Sequence, residues 1–248
     1  MALTIDLNAD LGEGIGSDDD LVRIVSSANV ACGLHAGSVQ DMRRTMAAAL
    51  AQGVGIGAHP GFEDRANFGR TRQTLSAEDV TALIRFQVGA SVAVAQGLGA
   101  TVRHLKLHGA LANMASEDVG LARICYQAAR QLAPDLTLVV IAATAQEQAA
   151  RELGAAWAGE IFADRAYNDD ATLVDRKLPG AVLHDADAAA SRVLTMLRTG
   201  AIVAQGGRMI PARIDTVCLH GDTPEAVDMA RALRHHLEAN GVTIARFA

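Results

Sequence analysis

The chain has 248 residues, of which 50% are hydrophobic, 20% are charged and 3% are aromatic, and its formal net charge is −6. The high apolar fraction excludes a disordered chain. The acidic balance and the scarcity of aromatic side chains argue against nucleic-acid binding, which favours a basic surface and stacking groups. Ala and Gly together fill 72 positions, and such small side chains let helices pack closely on a sheet.

Targeting and redox signals are weak in this sequence. No uninterrupted apolar run approaches the roughly 18 residues of a membrane span, so we expect no membrane partner. The first residues lack the basic and apolar regions of a signal peptide, so we expect a cytoplasmic protein. The three cysteines, Cys32, Cys125 and Cys218, are far apart and predict neither a disulfide framework nor a zinc–thiolate site.

Short β-branched segments alternate with Ala-rich amphipathic segments along the chain. Strands are predicted over residues 3–8, 28–32, 54–58, 102–107, 136–141, 159–163, 202–204 and 216–219. Helix-start signals occur at Ser76, at Ser116 and at Thr223, which precedes a Pro. This alternation predicts parallel strands in one α/β domain over residues 1–248, because no linker or change of composition divides the chain. A closed barrel and an open doubly wound sheet both fit the pattern.

Polar side chains follow one predicted strand after another. His35, His59, His108 and His220 each end a different strand, close to a Gly or Pro. The strands also carry or precede Asp6, Asn8, Asp10, Glu13, Glu160, Asp164, Arg165 and Asp222. Because the carboxyl ends of parallel strands form one face, we predict that these groups converge there. For each residue alone, a structural role such as a helix cap or a buried hydrogen bond stays open.

Imidazoles and carboxylates without an evident nucleophile favour hydrolysis by an activated water. No GxSxG elbow is present, and no basic neighbour activates a cysteine. Either a carboxylate or a histidine acts as the base, or a divalent metal acidifies the water. Asp10, His35 and His59 come from three consecutive strands and form the candidate metal triad.

Lys106 is one of only two lysines in a chain whose other 20 basic residues are arginines. It lies two residues before His108, on the same side of a strand. We expect it to neutralise nearby carboxylates or to hold a substrate carboxylate. Chance retention, as for Lys177 in a loop, is the alternative. His104 is interpreted as a structural residue that faces away from Lys106.

Seven segments, in order along nearly the whole chain, resemble the signature blocks of the LamB/YcsF family. They are residues 6–13 (DLNADLGE), 27–37 (SANVACGLHAG), 57–60 (GAHP), 68–70 (FGR), 106–111 (KLHGAL), 160–167 (EIFADRAY) and 218–222 (CLHGD). The resemblance implies a seven-stranded β/α barrel similar to the glycoside hydrolase/deacetylase superfamily. It also implies an ATP-dependent 5-oxoprolinase, in which the chain and two partner subunits open 5-oxo-L-proline (pyroglutamate) to L-glutamate.

Given this resemblance, we assign roles to the polar residues at the strand ends. The expected catalytic residues are Asp10, His59, Lys106, His108, Asp164, Arg165 and His220. The expected substrate-binding residues are Asp6, Asn8, Glu13, His35, Glu160 and Asp222. Asp10 or His59 is expected to position water, and Lys106 and Arg165 to balance developing negative charge. His220 or Asp164 is expected to protonate the ring nitrogen.

ATP is expected to act as a co-substrate of the complex and to be bound by the partners, because the chain lacks the Gly-rich signature of a phosphate-binding loop. Two other functions stay open. One is a stand-alone metal-dependent deacetylase or amidohydrolase, against which the few aromatic side chains speak. The other is a non-catalytic binding subunit. The sequence also leaves a homo-oligomer open.

Overall fold

The strands form a closed barrel in the computed structural model, which describes residues 3–219 and 226–247. The strands are β1 (Thr4–Leu11), β2 (Ser27–Ala31), β3 (Gly55–His59), β4 (His104–Lys106), β5 (Thr137–Ile141), β6 (Trp157–Phe162), β7 (Ala201–Val203), β8 (Met209–Pro211), β9 (Thr216–Leu219) and β10 (Thr243–Ile244). Strands β1 to β6 and β9 pair in parallel in that order, and β9 pairs back onto β1 with Thr216 opposite Asp6. The seven-stranded barrel implied by the family resemblance is therefore confirmed, and the open sheet is excluded.

The segments between strands supply the helices that surround the barrel. They are α1 (Asp18–Leu21), α2 (Val39–Ala51), α3 (Ala77–Gly97), α4 (Gly109–Glu117), α5 (Val119–Arg130), α6 (Ala145–Glu152), α7 (Ala186–Thr199) and α8 (Ala226–Ala239). A single 3₁₀ turn spans Arg65–Asn67 in the described chain. None of the helices within the described ranges is long and apolar enough to cross a membrane.

The predicted strands all exist, but one of them lies outside the barrel. Strand β7 pairs antiparallel with β8, and the two form a separate hairpin. The sequence does not predict β8 and β10, because segments of three and two residues show no recognisable alternation. Strand β10 lies at the amino-terminal end of β1 and pairs in parallel with its first residues.

Helix starts agree with the sequence signals at one position and differ at another. Ser76 caps α3, and its hydroxyl oxygen accepts the N–H of Asp79. Ser116 was expected to begin a helix, but it lies inside α4. Asp118 caps α5 instead, because its carboxylate accepts two backbone N–H groups of the first turn. The signal at Thr223 lies outside the described residues.

The barrel wall has an apolar outer face and a polar inner face. On β1, Leu7, Ala9 and Leu11 are fully buried under the helices. The alternate residues Asp6, Asn8 and Asp10 point into the barrel, where they meet polar residues of the other strands. Burial of polar side chains in such numbers requires that they bond one another. The barrel interior is therefore a hydrogen-bonded network.

Candidate active site

A cavity of about 690 Å³ lies at the carboxyl ends of the barrel strands. Asp10, His59, Lys106, Ile141 and Phe162, which lie at or near the ends of five different strands, line its inner part. Its volume is within the roughly 300–1,000 Å³ of small-molecule sites. The position agrees with the general placement of sites at this end of α/β barrels.

Lys106 lies at the floor of the cavity among four acceptor groups, which together with it we call the Lys106 cluster. Its Nζ lies 3.0 Å from Asp10 Oδ1 and 2.9 Å from Glu160 Oε1. The same nitrogen lies 3.3 Å from Asn8 Oδ1 and 2.9 Å from Cys218 Sγ. All five side chains are buried. One cation of the protein is thus held between two carboxylates.

The charge state of this cluster follows from the balance of burial and ion pairing. Burial alone lowers the pKa of Lys106, but the carboxylates of Asp10 and Glu160 and the hydrogen bond to Cys218 raise it well above its ordinary value. Burial raises the pKa of the Cys218 thiol well above its ordinary value, although Lys106 opposes this shift. Lys106 is therefore an ammonium ion, and Cys218 stays a neutral thiol.

Three histidines and a glutamate form a second group, which we call the histidine cluster: Glu13, His35, His59 and His108. One donor atom from each lies within 4.8 Å of the others. The rings of His35 and His108 stack at 3.8 Å with planes 8° apart, and His59 is edge-on to both. Glu13 Oε1 lies 3.3 Å from His35 Nε2 and 3.5 Å from His108 Nδ1.

Burial keeps the stacked rings of the histidine cluster neutral. Burial, with a smaller contribution from neighbouring His59, lowers the pKa of His35 to about 3. Burial also lowers the pKa of His108 well below its ordinary value, with His35 and His59 contributing. Neutral imidazole nitrogens and a carboxylate oxygen are donors that suit a divalent ion such as zinc. The cluster is therefore chemically able to hold a metal.

The two clusters meet at Asp10, whose carboxylate is held in place by hydrogen bonds deeper in the barrel. Asp10 Oδ2 lies 3.3 Å from His59 Nε2. Below, the amide of Asn29 donates to Asn8 Oδ1 at 2.7 Å and to Asp10 Oδ1 at 2.9 Å. Its own oxygen lies 2.9 Å from His104 Nε2, which must donate because an amide oxygen only accepts. This chain of bonds fixes the direction of the Asp10 carboxylate.

His104 fits into the barrel because its neighbour has no side chain. A Cβ atom at Gly57 would lie 2.1 Å from His104 Nε2, so this position requires glycine. Burial lowers the pKa of His104 to about 3, and Lys106 adds to the shift. The expectation that His104 faces away from Lys106 is wrong, because residues two apart on a strand share a face.

Comparison with known proteins agrees with the ordered sequence segments. The sequence profile of the LamB/YcsF family matches residues 5–248. The chain belongs to the LamB/YcsF family. It is 54% identical to a 5-oxoprolinase subunit from Ruegeria pomeroyi, over 98% of this chain and 98% of that protein. The corresponding 5-oxoprolinase subunit from Nitrobacter hamburgensis is 47% identical, over 99% of this chain and 98% of that protein.

Solved structures show the same barrel in a similar protein and in more distant ones. A lactam utilization protein from Thermus thermophilus has a TM-score of 0.91 and 40% identity, over 99% of this chain and 100% of that chain. A family 4 carbohydrate esterase from Streptomyces lividans has a TM-score of 0.52 at 10% identity, over 99% of this chain and 93% of that chain. The second likeness shows the fold alone.

The structure brings together most of the residues that the sequence pattern of this LamB/YcsF chain predicted for the site. The two adjoining clusters contain Asn8, Asp10, Glu13, His35, His59, Lys106, His108 and Glu160. The candidate metal triad is rearranged. Glu13 and His108 join His35 and His59, whereas Asp10 Oδ1 is bound by Lys106 and Asn29.

Asp6 lies deeper in the barrel than its assignment to substrate binding implies. Its carboxylate accepts hydrogen bonds from the hydroxyls of Ser26, Ser27 and Thr216, and it is 1% exposed. Burial raises the pKa of Asp6, although these hydrogen bonds oppose the shift. Asp6 therefore supports the inner network and does not line the cavity.

Arg165 lines the cavity, but its guanidinium is held by the loop beside it. Its Nη2 donates to the carbonyl of Val174 at 2.6 Å, and its Nε to that of Ala181 at 3.4 Å. Asp164 is not among the described side chains that line the cavity. His220 and Asp222 lie outside the described residues.

Sequence reasoning missed the polar residues that support the site from below. Asn29 and Thr216 bond directly to members of the Lys106 cluster, and Cys218 is itself a member. Their spacing could have indicated this role, because Asn29 lies two residues after Ser27 on β2, and Cys218 lies two residues after Thr216 on β9. Both strands pair with β1. Polar residues at every second position of neighbouring strands indicate a polar barrel interior.

Proposed function

We propose that this chain is the hydrolytic subunit of an ATP-dependent 5-oxoprolinase that acts with two partner subunits. The reaction consumes 5-oxo-L-proline, ATP and two water molecules and yields L-glutamate, ADP and phosphate. The relatives named as 5-oxoprolinase subunits, at 54% and 47% identity over nearly their whole length, support this activity. The single observation that carries the proposal is the Lys106 cluster, which presents a carboxylate and an ammonium ion to a small-molecule cavity.

The chemistry of the substrate explains why ATP is consumed. A five-membered lactam is a resonance-stabilised amide, and water attacks its carbonyl carbon slowly. Phosphorylation of the carbonyl oxygen creates a better electrophile. Water then attacks that carbon, the bond from carbon to the ring nitrogen breaks, and the nitrogen takes up a proton. A second water hydrolyses the acyl phosphate so formed, which releases phosphate and leaves the carboxylate of glutamate. The partner subunits carry out the phosphorylation, because this chain contains no phosphate-binding loop signature.

Asp10 is the base for the attacking water. Lys106 and Asn29 hold its Oδ1, so the carboxylate cannot turn away from the cavity. A carboxylate fixed in this way accepts the proton of a water without first reorganising. His59 lies beside it and helps to position the water, since its Nε2 is 3.3 Å from Asp10 Oδ2.

Lys106 stabilises the negative charge that develops on the substrate oxygen. Its ammonium ion lies at the cavity floor beside the Phe162 ring, where low polarity strengthens the interaction. The proton for the ring nitrogen comes from His220, which follows β9 directly in the sequence, or from Asp164, which follows β6.

The charge of the cavity suits an anionic substrate. Its lining includes six basic residues, Arg70, Arg72, Lys106, Arg165, Arg176 and Lys177, and four acidic ones, Asp10, Glu13, Glu117 and Asp175. This excess of positive charge contrasts with the net charge of −6 of the whole chain. A carboxylate such as that of 5-oxoproline is therefore attracted into the cavity.

Reconstitution of the complex from three purified subunits tests the proposal. We expect glutamate to form from 5-oxoproline only when ATP, this chain and both partners are present, with one ADP released for each glutamate. Omitting one component at a time supplies the controls. If the two partners alone released glutamate at the rate of the full complex, the hydrolytic role of this chain would be excluded.

A further inference from the structure

The outer nitrogens of His59 and His108 are both bound to backbone carbonyl groups. His59 Nδ1 lies 2.8 Å from the carbonyl oxygen of Lys106, and His108 Nε2 lies 2.8 Å from that of Phe68. A carbonyl oxygen only accepts hydrogen bonds, so each of these nitrogens carries the proton. In the neutral form of each ring, which has a single N–H, the inner nitrogen therefore presents a lone pair.

The two inner lone pairs face each other at close range. His59 Nε2 and His108 Nδ1 are 2.9 Å apart, a distance that two neutral rings with these tautomers do not explain by a hydrogen bond. A positive species between them removes the repulsion, and it is either a shared proton or a metal ion. Glu13 adds a carboxylate oxygen 3.5 Å from His108 Nδ1. A carboxylate beside two lone pairs is the pattern of a cation site.

His35 differs from the other two rings because one of its nitrogens has no partner. Its Nδ1 is buried without a hydrogen bond, which is costly in a protein interior. Its ring lies parallel to that of His108, so the in-plane lone pairs of these two rings do not converge. For Nε2 to reach an ion between His59, His108 and Glu13, the His35 ring must rotate out of this stack, and no hydrogen bond at Nδ1 opposes that rotation.

We propose that Glu13, His35, His59 and His108 bind one divalent transition-metal ion. Three imidazoles and one carboxylate are a donor set that zinc takes in proteins. Compared with the triad expected from the sequence, Glu13 and His108 enter and Asp10 leaves, because Asp10 is not in the set whose donor atoms converge within 4.8 Å. The site belongs to this chain alone and does not depend on 5-oxoprolinase activity.

The turn before Arg70 acts as a support for this site. Phe68 and Gly69 both have left-handed backbone angles, with φ of 57° and 66°. This turn brings the Phe68 carbonyl to His108 Nε2 and places the Phe68 ring edge against His35 and His108. A bond from the outer nitrogen of a metal-binding histidine to a carbonyl fixes the tautomer that leaves the inner nitrogen free for the ion.

Metal titration of the isolated chain tests the proposal. The chain is prepared without a polyhistidine tag, stripped with a chelator and titrated with Zn²⁺ by calorimetry, and with Co²⁺ by visible absorption. We expect one equivalent of either ion to bind. His108→Ala and Glu13→Gln should weaken Zn²⁺ binding by about 100-fold or more, because the first removes a donor and the second removes the negative charge of another. Asp10→Asn, which removes none of the four proposed donors, should weaken Zn²⁺ binding less than either of these variants.

The His235→Ala/His236→Ala double variant is the matched control, since these adjacent histidines lie on α8 away from the cavity and could bind metal adventitiously. It should bind Zn²⁺ as the unaltered chain does, and circular dichroism should show every variant folded. The proposal is overturned if the unaltered chain binds no Zn²⁺, which would favour the shared proton. It is also overturned if Asp10→Asn abolishes binding while folded Glu13→Gln retains it. Glutamate release by the reconstituted complex is measured separately, so neither result decides the other.

Discussion

The Lys106 cluster and the histidine cluster adjoin at one end of the barrel, but they balance their charge in opposite ways. In the first, the protein supplies the cation, and two carboxylates surround it. In the second, imidazole rings and one carboxylate turn their donor atoms toward each other, and none of the four members carries a fixed positive charge. The first cluster is therefore complete as folded, whereas the second is arranged to accept a cation.

The contrast explains how a polar barrel interior stays stable. A buried charge without a partner is costly, so each carboxylate inside the barrel needs a bound proton, an ammonium ion or a set of donors. Asp10 has Lys106, and Asp6 has three hydroxyls. Removing the ammonium ion of the Lys106 cluster should therefore affect the protein differently from disturbing the geometry of the histidine cluster.

Lys106→Met should cause the largest loss. The substitution leaves Asp10 and Glu160 buried without their ammonium ion, so the free energy of unfolding should fall by about 3–5 kcal/mol. Glutamate release by the complex should also be abolished. Urea denaturation and the glutamate assay measure the two effects. Lys177→Met, the other lysine and an exposed one, should change the free energy of unfolding by less than about 0.5 kcal/mol. Equal stability of the two variants would contradict the importance of the buried ion pair.

His104→Gln should flatten the pH dependence of stability. Burial lowers the pKa of His104 from 6.5 to about 3. The unfolded chain therefore binds more protons between these values, and the stability from neutral His104 is full above pH 6.5 and is lost as the pH falls toward 3. Near about pH 5, the slope of the unfolding free energy should decrease by about 1.4 kcal/mol per pH unit in the variant. Urea denaturation at several pH values, in the presence of a chelator, measures this slope. An unchanged slope in the variant would contradict burial of a neutral His104.

Gly69→Ala should disturb the histidine cluster and leave the Lys106 cluster intact. A Cβ at this left-handed position would lie 2.8 Å from His35 Cβ, so the backbone and the ring must shift. Zn²⁺ affinity should fall by about tenfold. Gly53→Ala is the matched control, because Gly53 has a similar φ of 68° and no atom within 4 Å of the added Cβ. Titration of both variants with Zn²⁺ by calorimetry separates the effect of the contact with His35 from the cost of placing alanine at a left-handed backbone angle. Equal Zn²⁺ affinities of the two variants would show that the contact with His35 does not matter.

Arg72→Met should have the smallest effect on stability. Arg72 pairs with Glu117, and the two side chains are 57% and 45% exposed. Water already solvates both charges, so the free energy of unfolding should change by less than about 1 kcal/mol. A loss as large as that of Lys106→Met in urea denaturation would show that burial does not distinguish the two ion pairs.

The strand ends could be predicted from sequence, and with them most of the site. His35, His59 and His108 stand out because each follows a β-branched segment and lies within two residues of a Gly or Pro. Parallel strands bring such ends to one face, whatever the details of packing. The hairpin of β7 and β8 was not predictable in the same way, because membership of the barrel depends on pairing with distant strands.

The choice of ligands could not be read from spacing. Asp10 lies near the end of β1, and Glu13 follows β1 two residues after its end. Only the side-chain directions show that Lys106 binds Asp10 while Glu13 contacts the histidines. The register between strands also decides that Asn29 lies beside Asp10. These contacts join residues far apart in sequence, and no local pattern encodes them.

The rate of glutamate release by the complex that carries Asp10→Asn tests the proposed site most directly. The amide keeps the size of the side chain and its place beside Lys106, but it does not accept the proton of the attacking water. We predict that glutamate release from 5-oxoproline and ATP falls by at least about 100-fold in a folded variant. An unchanged rate would contradict the role of Asp10 and place the hydrolytic step elsewhere.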